Sequence, residues 1–132
     1  DDYAHHPVEV ESTLDAAKNG WNRRIIAIFQ PHLFTRTRDF YIEFAKSFVK
    51  ADLLFITDIY PAREKPIDGV TSKIIVDECM KIGHNNVNYV PNIKDIPKLI
   101  KNCVHNNDMI ITMGAGNVWR QCEIIKKELT SE

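Results

Sequence analysis

Apolar residues recur along this chain at two alternating spacings, one helical and one continuous. After Pro7, the positions Val10, Leu14 and Ala17 mark one face of a helix from about 7 to 19, and Gly20 follows where such a helix would stop. Ile25-Ile26-Ala27-Ile28-Phe29 is an unbroken apolar run, the signature of a strand covered on both faces, as in a parallel sheet. Phe40, Phe44 and Phe48, flanked by Tyr41, Ala45 and Val49, predict the buried stripe of a second helix starting near Thr37. Leu53 to Ile56 reads as the next buried strand, closed by Thr57-Asp58. The stretch from Ile59 to Val70 holds Pro61, Pro66 and Gly69 and reads as a long loop, the kind that tends to carry function.

The same alternation continues to the end. Thr71 or Ser72 is placed to cap a third helix carrying Ile75, Cys79 and Met80 and ending near Gly83. Residues 87–90 form a short strand, and Asn92 caps a fourth helix with Asp95 three positions on and a stripe of Ile96, Leu99, Ile100 and Cys103. Met109 to Met113 is a strand, Gly114-Ala115-Gly116 turns the chain, and the last helix carries Val118, Cys122, Ile125 and Leu129. Strands alternating with helices predict one α/β domain over 1–132: a Rossmann-like, open, mostly parallel twisted sheet with helices on both faces and right-handed crossovers. No repeat, low-complexity tract or internal linker interrupts it.

Composition narrows the class. A chain of 132 residues, 44% hydrophobic and 27% charged, is that of a folded globular protein. Lys and Arg number 17 against 18 Asp and Glu, a net charge of −1 that gives no support for nucleic acid as a partner through overall charge. No apolar run approaches a membrane span, no signal peptide is read ahead of Asp1, and Cys79, Cys103 and Cys122 are odd in number without CxxC spacing. A cytoplasmic protein with reduced, core-type cysteines and no membrane partner is expected.

In an open parallel sheet, ligands bind beyond the carboxyl ends of the strands. Three stretches fall there, Gln30 to Arg38, Thr57 to Gly69 and Met113 to Asn117, and the opening Asp1-Asp2-Tyr3-Ala4-His5-His6-Pro7 precedes a helix on the same side. His32, Arg36 and Arg38 stand at a strand end and helix start, where guanidinium groups and a helix N-terminus both attract carboxylates and phosphates. The bland counterpart is a set of surface pairs with Asp39 or Glu43. Gly114-Ala115-Gly116 lets a backbone approach a ligand closely, or serves as a plain turn. Asp2 and the histidines are either half a site or an ordinary helix entry, and His84 and His105, in Asn-rich loops, read as solvated. The sequence holds no metal-ligand spacing, no nucleophile elbow and no GxxxxGK(S/T) phosphate-binding loop, so it cannot supply the main cradle for a nucleotide triphosphate.

Four segments in order, DDYAHHPVEVESTLDAA, RRIIAIFQPHLFTRTRDF, ADLLFITDIYPAREKPIDGV and DMIITMGAGNVW, resemble the C-terminal domain of the Mur ligases, and among them those that join L-alanine to UDP-N-acetylmuramate in peptidoglycan synthesis. The resemblance spans essentially the whole chain. It departs at Ala4, where glycine is also common, at Leu33, where a basic residue is frequent, and at Asn117, where aspartate is usual.

The resemblance implies a third domain beginning at the hinge, with an upstream central domain holding ATP and Mg2+, and a reaction in which the muramate carboxylate becomes an acyl phosphate that L-alanine attacks. It implies that Asp2 contacts the nucleotide ribose and Tyr3 lies against the nucleotide. His5 would face the phosphates or the amino acid. His32, Arg36 and Arg38 would face the amino acid or acyl phosphate, and Gly114, Ala115 and Gly116 would line the same cleft. The isolated domain is expected to be inactive. The nearest alternative is the murein tripeptide recycling ligase, which often has phenylalanine where this chain has Tyr3. An alternative of another class is a non-catalytic α/β binding module whose motifs are caps and turns.

Overall fold

Strand β1 (Ile25–Phe29) lies at the centre of the fold, with all five residues buried. In the computed structural model, which describes residues 1–130, it pairs in parallel with β2 (Leu53–Thr57) on one side and β4 (Met109–Met113) on the other. Strand β3 (Val87–Val90) adds to the outer side of β2, giving the order β3-β2-β1-β4, parallel throughout. The chain therefore grows outward from β1 to β3 and then returns to the opposite side of β1, making a topological switch point between β1 and β4.

Alternate residues of β1 serve opposite faces. Ile25, Ala27 and Phe29 pack under α1 (Pro7–Trp21), α2 (Phe34–Ser47) and α3 (Lys73–Lys81) through Val10, Leu14, Phe44, Phe48, Ile75 and Cys79. Ile26 and Ile28 pack against α4 (Ile96–Cys103) and α5 (Gln121–Thr130) through Ile96, Ile100 and Ile125. Phe29 meets the rings of Phe44 and Phe48, each at 5.0 Å between centroids in tilted geometry. Burial pushes the Cys79 thiol up to about 12, as expected of a small core residue, while Cys103 and Cys122 are half-buried.

Helix ends depart from the pattern-based boundaries for local reasons. Helix α1 passes through Gly20 to Trp21, and Asn22 takes the left-handed conformation (φ 49°) that ends it. Helix α2 starts at Phe34, three residues before Thr37. Before α3 the two candidate caps divide the work: the Thr71 hydroxyl accepts the Lys73 N–H, whereas the Ser72 hydroxyl donates to the Thr57 carbonyl. Asn92 caps as expected, accepting the Lys94 N–H at 3.0 Å, but it opens a 3₁₀ turn over Ile93–Asp95 that leads into α4.

Four stripe positions prove exposed: Val49, Met80, Leu99 and Leu129. Val49 lies past the end of α2, and the others sit on the solvent flank of their helices, which single apolar residues commonly do. His84 is half-buried rather than solvated, with Nε2 donating to the Ala51 carbonyl at 2.9 Å.

The opening stretch is a piece of the sheet as well as a helix entry. The Asp2 N–H donates to the Thr112 carbonyl at 2.8 Å and the Gly114 N–H to the Asp2 carbonyl at 3.3 Å, a one-residue parallel bridge on the free edge of β4. Among the described residues no helix is long and apolar enough to cross a membrane. Since Phe44 fills the space between β1 and the α-layer at 1% exposure, Phe44→Ala is expected to lower stability by about 3–5 kcal/mol, measured by urea denaturation.

Candidate functional site

Because all strands are parallel, the segments following β1, β2 and β4 leave the sheet at one edge, and the Asp2 bridge brings residues 3–6 to the same edge. At the switch point the crevice is filled from within. Gln30, the first residue after β1 and only 6% exposed, donates its backbone N–H to the Met113 carbonyl. Its side-chain Oε1 accepts the N–H groups of Asn117 (3.0 Å) and Val118 (3.1 Å), and its Nε2 donates to Asn117 Oδ1 at 2.7 Å.

This explains the two glycines. A Cβ on Gly114, where φ is 151°, would lie 2.9 Å from the Gln30 carbonyl oxygen. One on Gly116 would lie 2.6 Å from both Gln30 Oε1 and Tyr60 Cγ. The close approach permitted by Gly114-Ala115-Gly116 is thus made to Gln30 and Tyr60, and the turn borders the cleft through them.

The candidate side chains gather beside this plug. Tyr60 is joined to the β1–α2 connection by two backbone bonds, Tyr60 N–H to the Pro31 carbonyl (2.8 Å) and Leu33 N–H to the Tyr60 carbonyl (2.9 Å). Its ring stacks on His32 with centroids 5.9 Å apart and planes at 13°. The His5 ring stands edge-on to His32 at 6.0 Å, and Tyr3, 68% exposed, stands edge-on to His5 at 5.0 Å. His6 turns to the other side and packs on Phe40. Arg36, in the first turn of α2, donates from Nη1 to His32 Nδ1 at 3.1 Å.

These contacts define proton positions. A guanidinium has no acceptor, so His32 Nδ1 carries the lone pair and the neutral ring keeps its proton on Nε2. His5 Nδ1 lies 2.9 Å from the Tyr3 carbonyl oxygen, which only accepts, so His5 carries its proton on Nδ1 and its neutral ring leaves Nε2 as an acceptor. The two imidazoles therefore offer opposite functions, a donor on His32 and an acceptor on His5. Burial, followed by the Arg36 charge and the nearby His5 imidazole, lowers His32 below its ordinary 6.5, against an opposing pull from Glu64.

Arg38 is in a different situation. Its Nε donates to Asp39 Oδ1 at 2.9 Å with both side chains about half exposed, and that bond holds the Asp39 carboxyl below its usual range. The surface-pair reading applies to Arg38, and the cluster reading to Arg36. Asp2 Oδ1 accepts the Ala4 N–H at 2.8 Å, so it shapes the turn at the strand end rather than capping α1. Glu9 does that, accepting the His6 N–H at 3.0 Å. Among the described residues no three His, Cys, Asp or Glu side chains converge to hold a metal ion.

The residue-by-residue reading did not single out Gln30, Tyr60 or Glu64. Gln30 had one available signal, a polar residue directly ending a buried strand. Tyr60 and Glu64 were marked only by lying in the long loop. Beside Tyr60, a cavity of about 200 Å³ opens among Gln30, Asp58, Asn92 and Asn117.

Two outcomes test this geometry. Gly116→Ala is expected to lower stability by about 1–3 kcal/mol, because its methyl meets Gln30 and Tyr60 at once, and to move the Tyr60 ring resonances; denaturation and NMR spectra check it. Folding stability should also respond to His32. The unfolded ring takes up its proton near 6.5 and the folded ring only at lower pH, so stability is lost as pH falls through that interval. The loss should be smaller in His32→Gln than in the wild type, measured by denaturation across about pH 5.5 to 7.5, roughly one unit either side of the ordinary value.

The family model described as "Mur ligase, glutamate ligase domain" matches residues 1–116. A UDP-N-acetylmuramate–L-alanine ligase of Salinibacter ruber is 46% identical over 133 residues, covering 100% of this chain and 28% of the relative. The crystal structure of a UDP-N-acetylmuramate-alanine ligase from Thermotoga maritima superposes with a TM-score of 0.77 at 28% identity, covering 96% of this chain and 25% of that one. A murein peptide ligase from Psychrobacter arcticus has the same fold, with a TM-score of 0.80 at 23% identity, covering 100% of this chain and 27% of that one. The chain spans little more than a quarter of the length of the curated relatives it matches. On its sequence and its fold together, the chain belongs to the Mur ligase C-terminal domain family.

Proposed function

We propose that this chain, as one domain over 1–132, is the closing domain of a cytoplasmic ATP-dependent ligase that joins L-alanine to UDP-N-acetylmuramate in peptidoglycan synthesis. The observation that carries the reading is the convergence of His5, His32 and Arg36 at the carboxyl edge of the sheet, in a chain with no phosphate-binding loop of its own. Such an edge offers positive charge, a proton acceptor and a hydrogen-bond donor, and needs a second domain to bring the triphosphate.

The residues present fit the margin of a nucleotide. The Asp2 carboxylate provides acceptors for sugar hydroxyls, and the exposed Tyr3 ring offers a face for a base. ATP, held with Mg2+ mainly by an upstream central domain, would supply the phosphoryl group that activates the muramate carboxylate. This domain's own groups act around that event. Arg36 and the His32 Nε2–H meet the negative oxygens of the activated acid or the carboxylate of the amino acid. His5 Nε2 accepts the proton that the amine gives up as it becomes nucleophilic. Tyr60 holds the plane of the His32 ring, and Gly114 to Gly116 let it stand there. Alone, the domain turns over no ATP.

L-alanine is favoured over the murein tripeptide because the relatives at 42–47% identity carry the alanine ligase name, while the peptide ligase likeness is one of fold. The test is amine-dependent ATP hydrolysis by the longer protein that contains this domain. Turnover should rise with L-alanine, and Arg36→Ala should lower kcat/KM by roughly 10²-fold. A response to the tripeptide alone would reassign the amine. Wild-type kinetics in Arg36→Ala would return the arginine to a surface role, and absence of any ligase turnover would favour a non-catalytic binding module.

A further inference from the structure

We propose that Glu64 is a positioning residue for this reaction: carried in on the long loop after β2, its carboxylate closes the start of α2 and thereby holds Arg36 and His32 in register with the reacting acid. The inference rests on the ligase reading above. Helix α2 has no cap of its own. Leu33, at the capping position, is apolar and held at φ 74°, a conformation a leucine adopts only when its surroundings impose it. Glu64 supplies what Leu33 cannot. Its Oε1 accepts the Thr35 N–H at 3.1 Å and its Oε2 accepts the Thr35 hydroxyl.

The loop is built to deliver that carboxylate. The backbone bonds between Tyr60 and residues 31 and 33 dock its beginning, and the Glu64 N–H donates to the Pro61 carbonyl at 2.9 Å across a turn in which Ala62 has φ 53°. Glu64 thus lands on Thr35, the residue immediately before Arg36. The Thr35 hydroxyl, with the Thr35 and Phe34 N–H groups behind it, holds the Glu64 carboxyl below its ordinary range, so it stays an acceptor at neutral pH. The positive end of α2 consequently already carries a negative charge from within the protein. An incoming phosphoryl or carboxylate group is left to the side chains of Arg36 and His32, whose directions depend on where this first turn is held.

The test uses the full-length protein. Glu64→Ala should lower kcat/KM for the amine by about tenfold or more, with KM for ATP unchanged, and Glu64→Gln, which keeps an acceptor oxygen, should recover most of the loss. Placed in an Arg36→Ala background, Glu64→Ala should change the rate by no more than about twofold, since Glu64 acts through the bonded Arg36–His32 pair, which Arg36→Ala already breaks. Hydrogen exchange at residues 34–37 should accelerate in Glu64→Ala, a readout independent of turnover.

Normal ligation by the wild type, impaired Arg36→Ala and unimpaired Glu64→Ala would overturn the positioning role and leave the ligase reading intact. Multiplicative losses in the double variant would overturn it as well, whatever the exchange rates. A wild type without ligase turnover would overturn the ligase reading and the positioning role together.

Discussion

The structure depends on the parallel pairing of β1, buried on both faces between β2 and β4. Parallel pairing sends every strand's carboxyl end to one edge, and the reversal of chain order at β1 leaves a crevice there. Gln30 continues the pairing past the end of β1 through its backbone, then ties down the turn after β4 through its amide. Each polar atom of that amide bonds the other loop, so burial carries little penalty and the two loops are fixed relative to one another. The glycines, the Tyr60 ring and the His32 ring then stack outward from this plug in turn.

Electrostatics at this edge follow an unexpected division of labour. The starts of α1 and α2 lie beside the cluster of side chains, and a helix start ordinarily attracts anions. Each already carries a carboxylate of the domain: Glu9 takes the His6 N–H at α1, and Glu64 takes the Thr35 N–H at α2. Attraction for a ligand's negative oxygens therefore falls to side chains, chiefly Arg36. The neighbouring imidazole is held against protonation by burial and by Arg36 itself, so His32 contributes a directional N–H instead of a second charge. On the proposed ligase reading, that arrangement suits a site that also admits an amine, which a dense cationic cluster would repel.

The strands were the most legible part of the sequence, because residues buried on both faces form uninterrupted apolar runs; 25–29, 87–90 and 109–113 have the expected bounds. Helix starts were less legible where the cap comes from elsewhere. No local signal at Leu33-Phe34 announces α2, since its closing groups arrive from Tyr60 and Glu64, some thirty positions later. The gathering of residues 32–36 and 114–116 at one edge followed from the parallel alternation of strands and helices, and that of residues 2–6 from their place before a helix on the same side. The contacts inside that edge did not: that Gly116 faces Tyr60, or that Gln30 ties down the turn after β4, depends on residues distant in sequence, and the Asp2 bridge to β4 is made by backbone groups common to nearly every residue.

The two arginines of the β1–α2 region show how far spacing carries the argument. Positions 36 and 38 are two apart on a helix, so their side chains diverge by about 200° and cannot serve one ligand from one face. Arg36 lies in the first turn of α2, on the side that faces His32 in the connection before the helix, and its guanidinium meets that ring. Arg38 instead lies outside the His32 face and pairs with the adjacent Asp39 in solvent, where an ion pair contributes little. Of two guanidinium groups alike in sequence, the helix period assigns one to the cleft and the other to the surface. The departure at Leu33 strengthens that division: with an apolar residue between His32 and α2, positive charge in this segment of the edge rests on Arg36.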